Sequence, residues 1–238
     1  QPDVAWECGT TRAGVMVSDS LMFQRGEPSP SDAHMSHLYG LALPLVKRGF
    51  PVEPVQLENI TAKDYLKSYD LLLMTYQGMK PFDPEVHGPL ADWVKGGGVL
   101  VFWDDDQDPY HKVREWWNTG TNQYATPRQH LFERLGLGRE LKPGVHRVGE
   151  GRLLYRAANP VALAGDARGD TVLAEDIKAA AKDTRVRWRE TNYLLLRRGC
   201  YVIAAGLDES LEAPPKTLSG SFINLFHPEL RLERERLD

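Results

Sequence analysis

Between residues 13 and 103 the chain alternates short apolar runs with segments whose apolar positions recur at helical spacing. Ala13–Val17, Asp70–Thr75 and Val99–Trp103 are apolar at nearly every position, as expected of strands covered on both faces. Val52–Leu57 reads as a further strand, and Pro54 suits it to an edge. Ser36–Arg48 places apolar residues at 38, 41, 42, 45 and 46, a helical stripe that Gly49 ends. Thr61 is positioned to cap a short helix through Ser68. A longer helix, starting after Asp83–Pro84 or at Pro89, runs to Lys95 before three glycines. Strand and helix in this order predict right-handed crossovers. The fold class expected is therefore α/β, with a flavodoxin-like parallel sheet and helices on both faces.

Past Trp103 the rhythm changes. Asp108–Asn118 reads as a short helix bearing Trp116 and Trp117, and Thr126–Leu135 as a capped helix with Pro127 at its first position. Arg147–Tyr155 reads as one strand carrying Gly149 and Gly151, and Thr171–Lys182 as an alanine-rich helix. The last fifth predicts β-rich, antiparallel C-terminal elements. Tyr193–Arg197 and Cys200–Ala205 flank Arg198–Gly199 as a hairpin, and Ser219–Phe226 adds a strand. These either extend the main sheet or begin a β-sandwich. The division implied is residues 13–185 for the α/β domain and 186–238 for the β-rich extension.

Composition narrows the function classes. The 238 residues are 42% hydrophobic and 26% charged, ordinary for a soluble domain with a core. A net charge of −4 without a basic stripe argues against nucleic acid as a partner. The alternating Arg231–Arg236 reads as a solvated strand or tail. No apolar run is long enough to span a membrane. The opening Gln1-Pro2-Asp3, with neither Met nor signal peptide, suggests a processed chain or a piece of a longer one, secreted and periplasmic locations both staying open. Cys8 and Cys200 are expected as free thiols, Cys200 buried in its strand.

The segment Tyr69–Trp103 carries a likeness: a strand (Leu71–Thr75), a loop (Tyr76–Pro81), a helix ending in Trp93-Val94-Lys95-Gly96-Gly97, then the strand Val99–Trp103. In this it resembles the class I glutamine-amidotransferase-like fold, and most closely the non-catalytic version found as the trimerisation domain of family 42 β-galactosidases. Pro127–Leu137 is similar to that family's helix before a Leu-Gly turn. The resemblance covers roughly Ala13–Leu137. It implies self-association and a place in a larger glycoside hydrolase. Catalytic amidotransferases carry a nucleophilic cysteine at a strand-to-helix elbow, but no Gly-x-Cys-x-Gly occurs here, so thiol chemistry is not expected.

In open α/β sheets ligands gather at the carboxyl ends of the strands, where this chain places its candidate residues. Asp104, Asp105, Asp106 and Asp108, with Tyr110 and His111, follow the fourth strand. Such close carboxylates serve as caps, as hydrogen-bonding groups for a sugar, or as hard ligands for a cation; capping is the expectation, with no metal and no cofactor. The loop after the first strand offers Ser18, Asp19, Ser20, Arg25, Asp32, His34 and His37, and Arg25 is placed to pair with one of the aspartates. Thr75, Tyr76 and Gln77 would complete the rim. Trp116 and Trp117 are candidates for sugar stacking or for an interface. The reading favoured is a non-catalytic module for assembly or for lining a sugar site. Its partners would be carbohydrate and either further copies of itself or a catalytic barrel domain of a parent chain. The alternative is a free-standing hydrolase or sugar-binding domain using the Asp104–Asp108 and His111 cluster.

Overall fold

The computed structural model describes residues 3–21 and 35–234. Six strands form the main sheet: β2 (Ala13–Val17), β3 (Glu53–Gln56), β4 (Leu71–Met74), β5 (Val99–Trp103), β6 (Gly144–Val148) and β7 (Gly151–Arg156). Their spatial order is β3-β2-β4-β5-β7-β6, parallel throughout except for the edge strand β6. This is the flavodoxin-like order with one antiparallel edge added. Pro54 lies in β3, at the opposite edge, where a missing N–H costs no ladder bond.

Both faces are covered, which is why the central strands are apolar without alternation. On one side α1 (Ser36–Val46), α4 (Val161–Gly165) and α5 (Gly169–Ala181) bury Leu41, Leu45, Leu163, Leu173 and Ile177 against Val15, Leu71, Leu73, Val99 and Val101. On the other, α2 (His87–Lys95) and α3 (Pro127–Arg134) bury Leu90, Val94, Leu131 and Phe132 against Leu72, Met74, Leu100, Phe102 and Leu153. Odd and even positions of one strand thus serve two cores.

Several local expectations are corrected. Thr61 closes one 3-10 turn (Leu57–Thr61) instead of capping a helix, and a second turn spans Tyr65–Ser68. Asp108–Asn118 is not a helix; a single 3-10 turn, Pro109–Lys112, is followed by tight turns in which the Asn118 side chain takes up the Val113 carbonyl (2.8 Å). Arg147–Tyr155 is two strands, because Gly149 takes a left-handed φ of +59° and reverses the chain between β6 and β7. Thr126 stands at the α3 N-cap without capping it; its hydroxyl is buried without a partner, and Gln129 accepts from the Ala125 amide instead (2.7 Å).

The late strands do not extend the main sheet. β8 (Tyr193–Arg198) and β9 (Tyr201–Gly206) form a hairpin that β1 (Val4–Trp6) completes from the other end of the chain, giving a separate antiparallel sheet ordered β1-β8-β9. The short strand β1 carries no period long enough to be read in advance. Cys200 is exposed in the hairpin turn and Cys8 is buried, both as free thiols. Within Ser219–Phe226 only Ser221–Ile223 (β10) is a strand, paired with Leu232–Arg234 (β11).

Candidate functional site

Chain order reverses between β2 and β4, which are adjacent while their continuations run to opposite edges of the sheet. At the carboxyl ends of β2, β4 and β5 the chain brings together Ser18, Thr75–Gln77 and Asp104–Asp108. Asp104 is fully buried. Its Oδ2 accepts from the Tyr76 amide (2.7 Å) and the Thr75 hydroxyl (3.2 Å), and its Oδ1 from the Gln77 side-chain amide (3.0 Å) and the Asp106 amide (2.7 Å). Burial pushes its pKa up to about 6; the neighbouring Asp106 charge adds to the rise and the amide donors oppose it. Gln77 also bonds Asp105 (2.5 Å), so one amide holds two carboxylates.

Two cations close the rim. Lys80, itself buried, donates from Nζ to Asp108 Oδ2 (2.8 Å) and to the Tyr76 and Met79 carbonyls. Asp108 also accepts from the Gly78 and Tyr110 amides (2.5 and 2.8 Å). Burial raises the Asp108 carboxyl, but Lys80 and these amides outweigh it and hold the group below its usual range. The Lys80 amide donates to Ser20 Oγ (2.7 Å) and Ser20 Oγ to the Lys80 carbonyl (2.7 Å), so the β2 loop is tied to the same residue, while Ser18 Oγ donates to Glu58 (2.6 Å). Arg128, in the first turn of α3, grips Asp106 with Nε and Nη2 (2.8 and 2.6 Å to Oδ2) and lies over the Phe132 and Tyr155 rings.

His111 is the exception in this satisfied network. It is only 4% exposed, and neither ring nitrogen has a hydrogen-bond partner among the described residues. Burial first, then the Lys80 charge, push its pKa down to about 4. One of its nitrogens, one Asp104 oxygen and one Asp106 oxygen all lie within 4.8 Å of one another.

Beneath the rim runs a second polar chain. Tyr76 is not a rim side chain as expected: its ring is wholly buried, and its hydroxyl meets His87 Nε2 (2.5 Å), while His87 Nδ1 meets His130 Nδ1 (2.7 Å). Burial holds Tyr76 in its O–H form and His87 neutral, so Tyr76 donates to His87 and His87 to His130. Burial, His130 and Arg134 all depress the His87 pKa. The unfolded chain therefore binds the proton more readily, and stability is lost as pH falls below about 6.5, the ordinary histidine value. Urea midpoints between pH 8 and pH 5 are expected to fall on the acid side, and His87→Leu to flatten that decline; an unchanged slope in the variant would remove His87 as its source.

The remaining expected site residues are placed as follows. Asp19 is exposed and accepts from Gln56 (2.9 Å). Arg25, Asp32 and His34 lie outside the described residues. His37 contacts Asn159. Tyr110 is 45% exposed at the mouth of the acidic loop. Trp117 is buried and donates to the His111 carbonyl (3.1 Å); Trp116 is half-buried, donates to the Pro81 carbonyl (2.8 Å) and packs on His87 and His130. Both indoles are thus committed internally, and neither is a free stacking face. Lys80, Arg128, Glu58 and the His87–His130 pair were not foreseen. Arg128 carried one signal, a cation beside Pro127 that a helix start would turn toward the sheet edge.

No family model matches this chain, and no curated protein does. Among solved structures, a cold-adapted β-galactosidase from Rahnella sp. R3 overlaps it with a TM-score of 0.43 and 14% identity, over 79% of this chain. The chain spans 36% of the length of that enzyme's chain. The identity and the TM-score are too low for the overlap to bear on activity.

Proposed function

We propose that this chain is a non-catalytic, amidotransferase-like α/β module of a larger carbohydrate-active protein, with residues 13–185 as the module and 186–238 as its β-rich extension. Its work is association. The observation that carries this is the apolar face of the β1-β8-β9 sheet, left exposed among the described residues. Residues opposed across an antiparallel pair share a face, and here Trp6, Leu196 and Ile203 make one row and Val4, Arg198 and Tyr201 the next. Val4, Tyr201 and Ile203 are 57%, 57% and 56% exposed. A contiguous apolar patch of this kind marks a surface that another protein surface covers. The interface role first given to the Trp pair passes to this face.

The rim supports the non-catalytic half of the reading. Each buried carboxylate there is engaged by amides or a cation, and neither cysteine follows β2, β4 or β5. Light scattering on the purified chain is expected to show a concentration-dependent oligomer, and Ile203→Lys with Tyr201→Lys to leave a folded monomer. A native chain that is strictly monomeric at high concentration would defeat the self-association reading. Hydrolysis of a chromogenic glycoside that Asp104→Asn abolishes would defeat the non-catalytic one.

A further inference from the structure

We propose that Asp104, Asp106 and His111 form a binding site for a divalent transition-metal cation of the Mn²⁺ or Zn²⁺ class. The inference is independent of the association surface. It departs from the sequence expectation of no metal, and His111 is the reason.

A buried imidazole ordinarily has a partner for at least one nitrogen, since desolvating a polar atom without a hydrogen bond is costly. His111 has none among the described residues, although two carboxylates lie close by. Its neutral ring presents a lone pair, the form a metal requires. The ligand atoms stand no more than 4.8 Å apart. Metal–ligand bonds of about 2.0–2.2 Å put donors on opposite sides of an ion at most about 4.4 Å apart, so a small inward movement closes the set.

The carboxylates can both take part. Asp106 keeps acceptor capacity beyond its fork with Arg128, because a carboxylate has about four lone-pair positions. On Asp104 the two backbone amides are fixed, but the Thr75 hydroxyl, its longest bond at 3.2 Å, and the Gln77 side chain can both turn aside. Asp106 takes a left-handed backbone (φ +57°), and its amide donates to Asp104 (2.7 Å). The charge inventory also leaves room for a cation. Lys80 neutralises Asp108 and Arg128 neutralises Asp106, whereas among the described residues Asp104 receives only neutral donors. One imidazole with two carboxylates favours Mn²⁺ or Zn²⁺ over Ca²⁺, which takes oxygen ligands.

The test uses the full chain and Mn²⁺ alone. Electron paramagnetic resonance is expected to show one Mn²⁺ taken up per chain, with electron spin-echo modulation from a coordinated ¹⁴N. Zn²⁺ should displace it, and excess Ca²⁺ should not. His111→Gln is expected to remove the nitrogen modulation and weaken uptake roughly tenfold or more, with circular dichroism confirming its fold. Asp106→Asn should weaken uptake while leaving the modulation. Absence of saturable uptake overturns the site, as does bound Mn²⁺ without nitrogen modulation in the native chain, a measurement that needs no variant.

Discussion

Replacing Lys80 by methionine is expected to lower the unfolding free energy by about 3–5 kcal/mol. Lys80 and Asp108 have side chains only 9% and 4% exposed, with the ammonium and carboxylate 2.8 Å apart. Methionine fills much of the volume, so packing loss is small and the effect is electrostatic. Asp108 would be left as a buried carboxylate with two amide donors and no cation. At this chain length each kcal/mol moves Tm by about 2–4 °C, so a fall on the order of 10 °C is the result to look for. The double variant Lys80→Met, Asp108→Leu separates cause from consequence. If the penalty is the orphaned charge, the double variant recovers part of the loss, even though the Gly78 and Tyr110 amides lose their acceptor. A double variant worse than the single one would mean that those two amides, and not the charge, dominate.

The second large effect is expected from Phe102→Ala, also about 3–5 kcal/mol. Phe102 is fully buried in β5 and packs against three rings, Tyr76 at 5.4 Å, Phe132 at 5.6 Å and Tyr155 at 6.3 Å between centroids. Those neighbours come from the loop after β4, from α3 and from β7, so the hole cannot collapse by moving one of them. The same rings support the rim: Arg128 lies over Phe132 and Tyr155. Chemical denaturation gives the stability loss. Phe102→Leu, which keeps most of the volume, should cost well under half as much, and equal losses for the two variants would show that the site is not close-packed.

The main sheet was legible because its signal is collective. Val99–Trp103 was read with the bounds it has, since five apolar residues between a glycine stop and an aspartate admit one reading. The turns were not. Asp108–Asn118 has the residue types of a helix, yet its backbone is spent on bonds from Trp117, Asn118 and Asn122 that no local pattern reveals. Of the site, the location could be read, and so could capping by one of the aspartates, which Asp108 provides to the Tyr110 amide. The partners could not, because Lys80 lies 28 residues before Asp108 and Arg128 lies 22 after Asp106. Hydrophobic patterning ranks positions by burial; it does not say which charge will meet which.

The bond from the Tyr76 amide to Asp104 has a consequence for how the sheet is built. β4 and β5 pair in parallel from Leu71 opposite Val99 to Met74 opposite Phe102. Every residue in both strands is buried, so sliding one strand past the other by a single step would exchange one apolar side chain for another. Burial alone is nearly blind to that slip, unlike the case of a strand with one wet face. Asp104 is not blind to the slip that replaces it by an indole. Two positions past the last rung, its carboxylate takes the amide that a further backbone carbonyl would have taken, and a slipped strand would put Trp103 or Asp105 there instead. One buried acid thereby adds an alignment mark, beyond packing, against the slip that would bring Trp103 to this place.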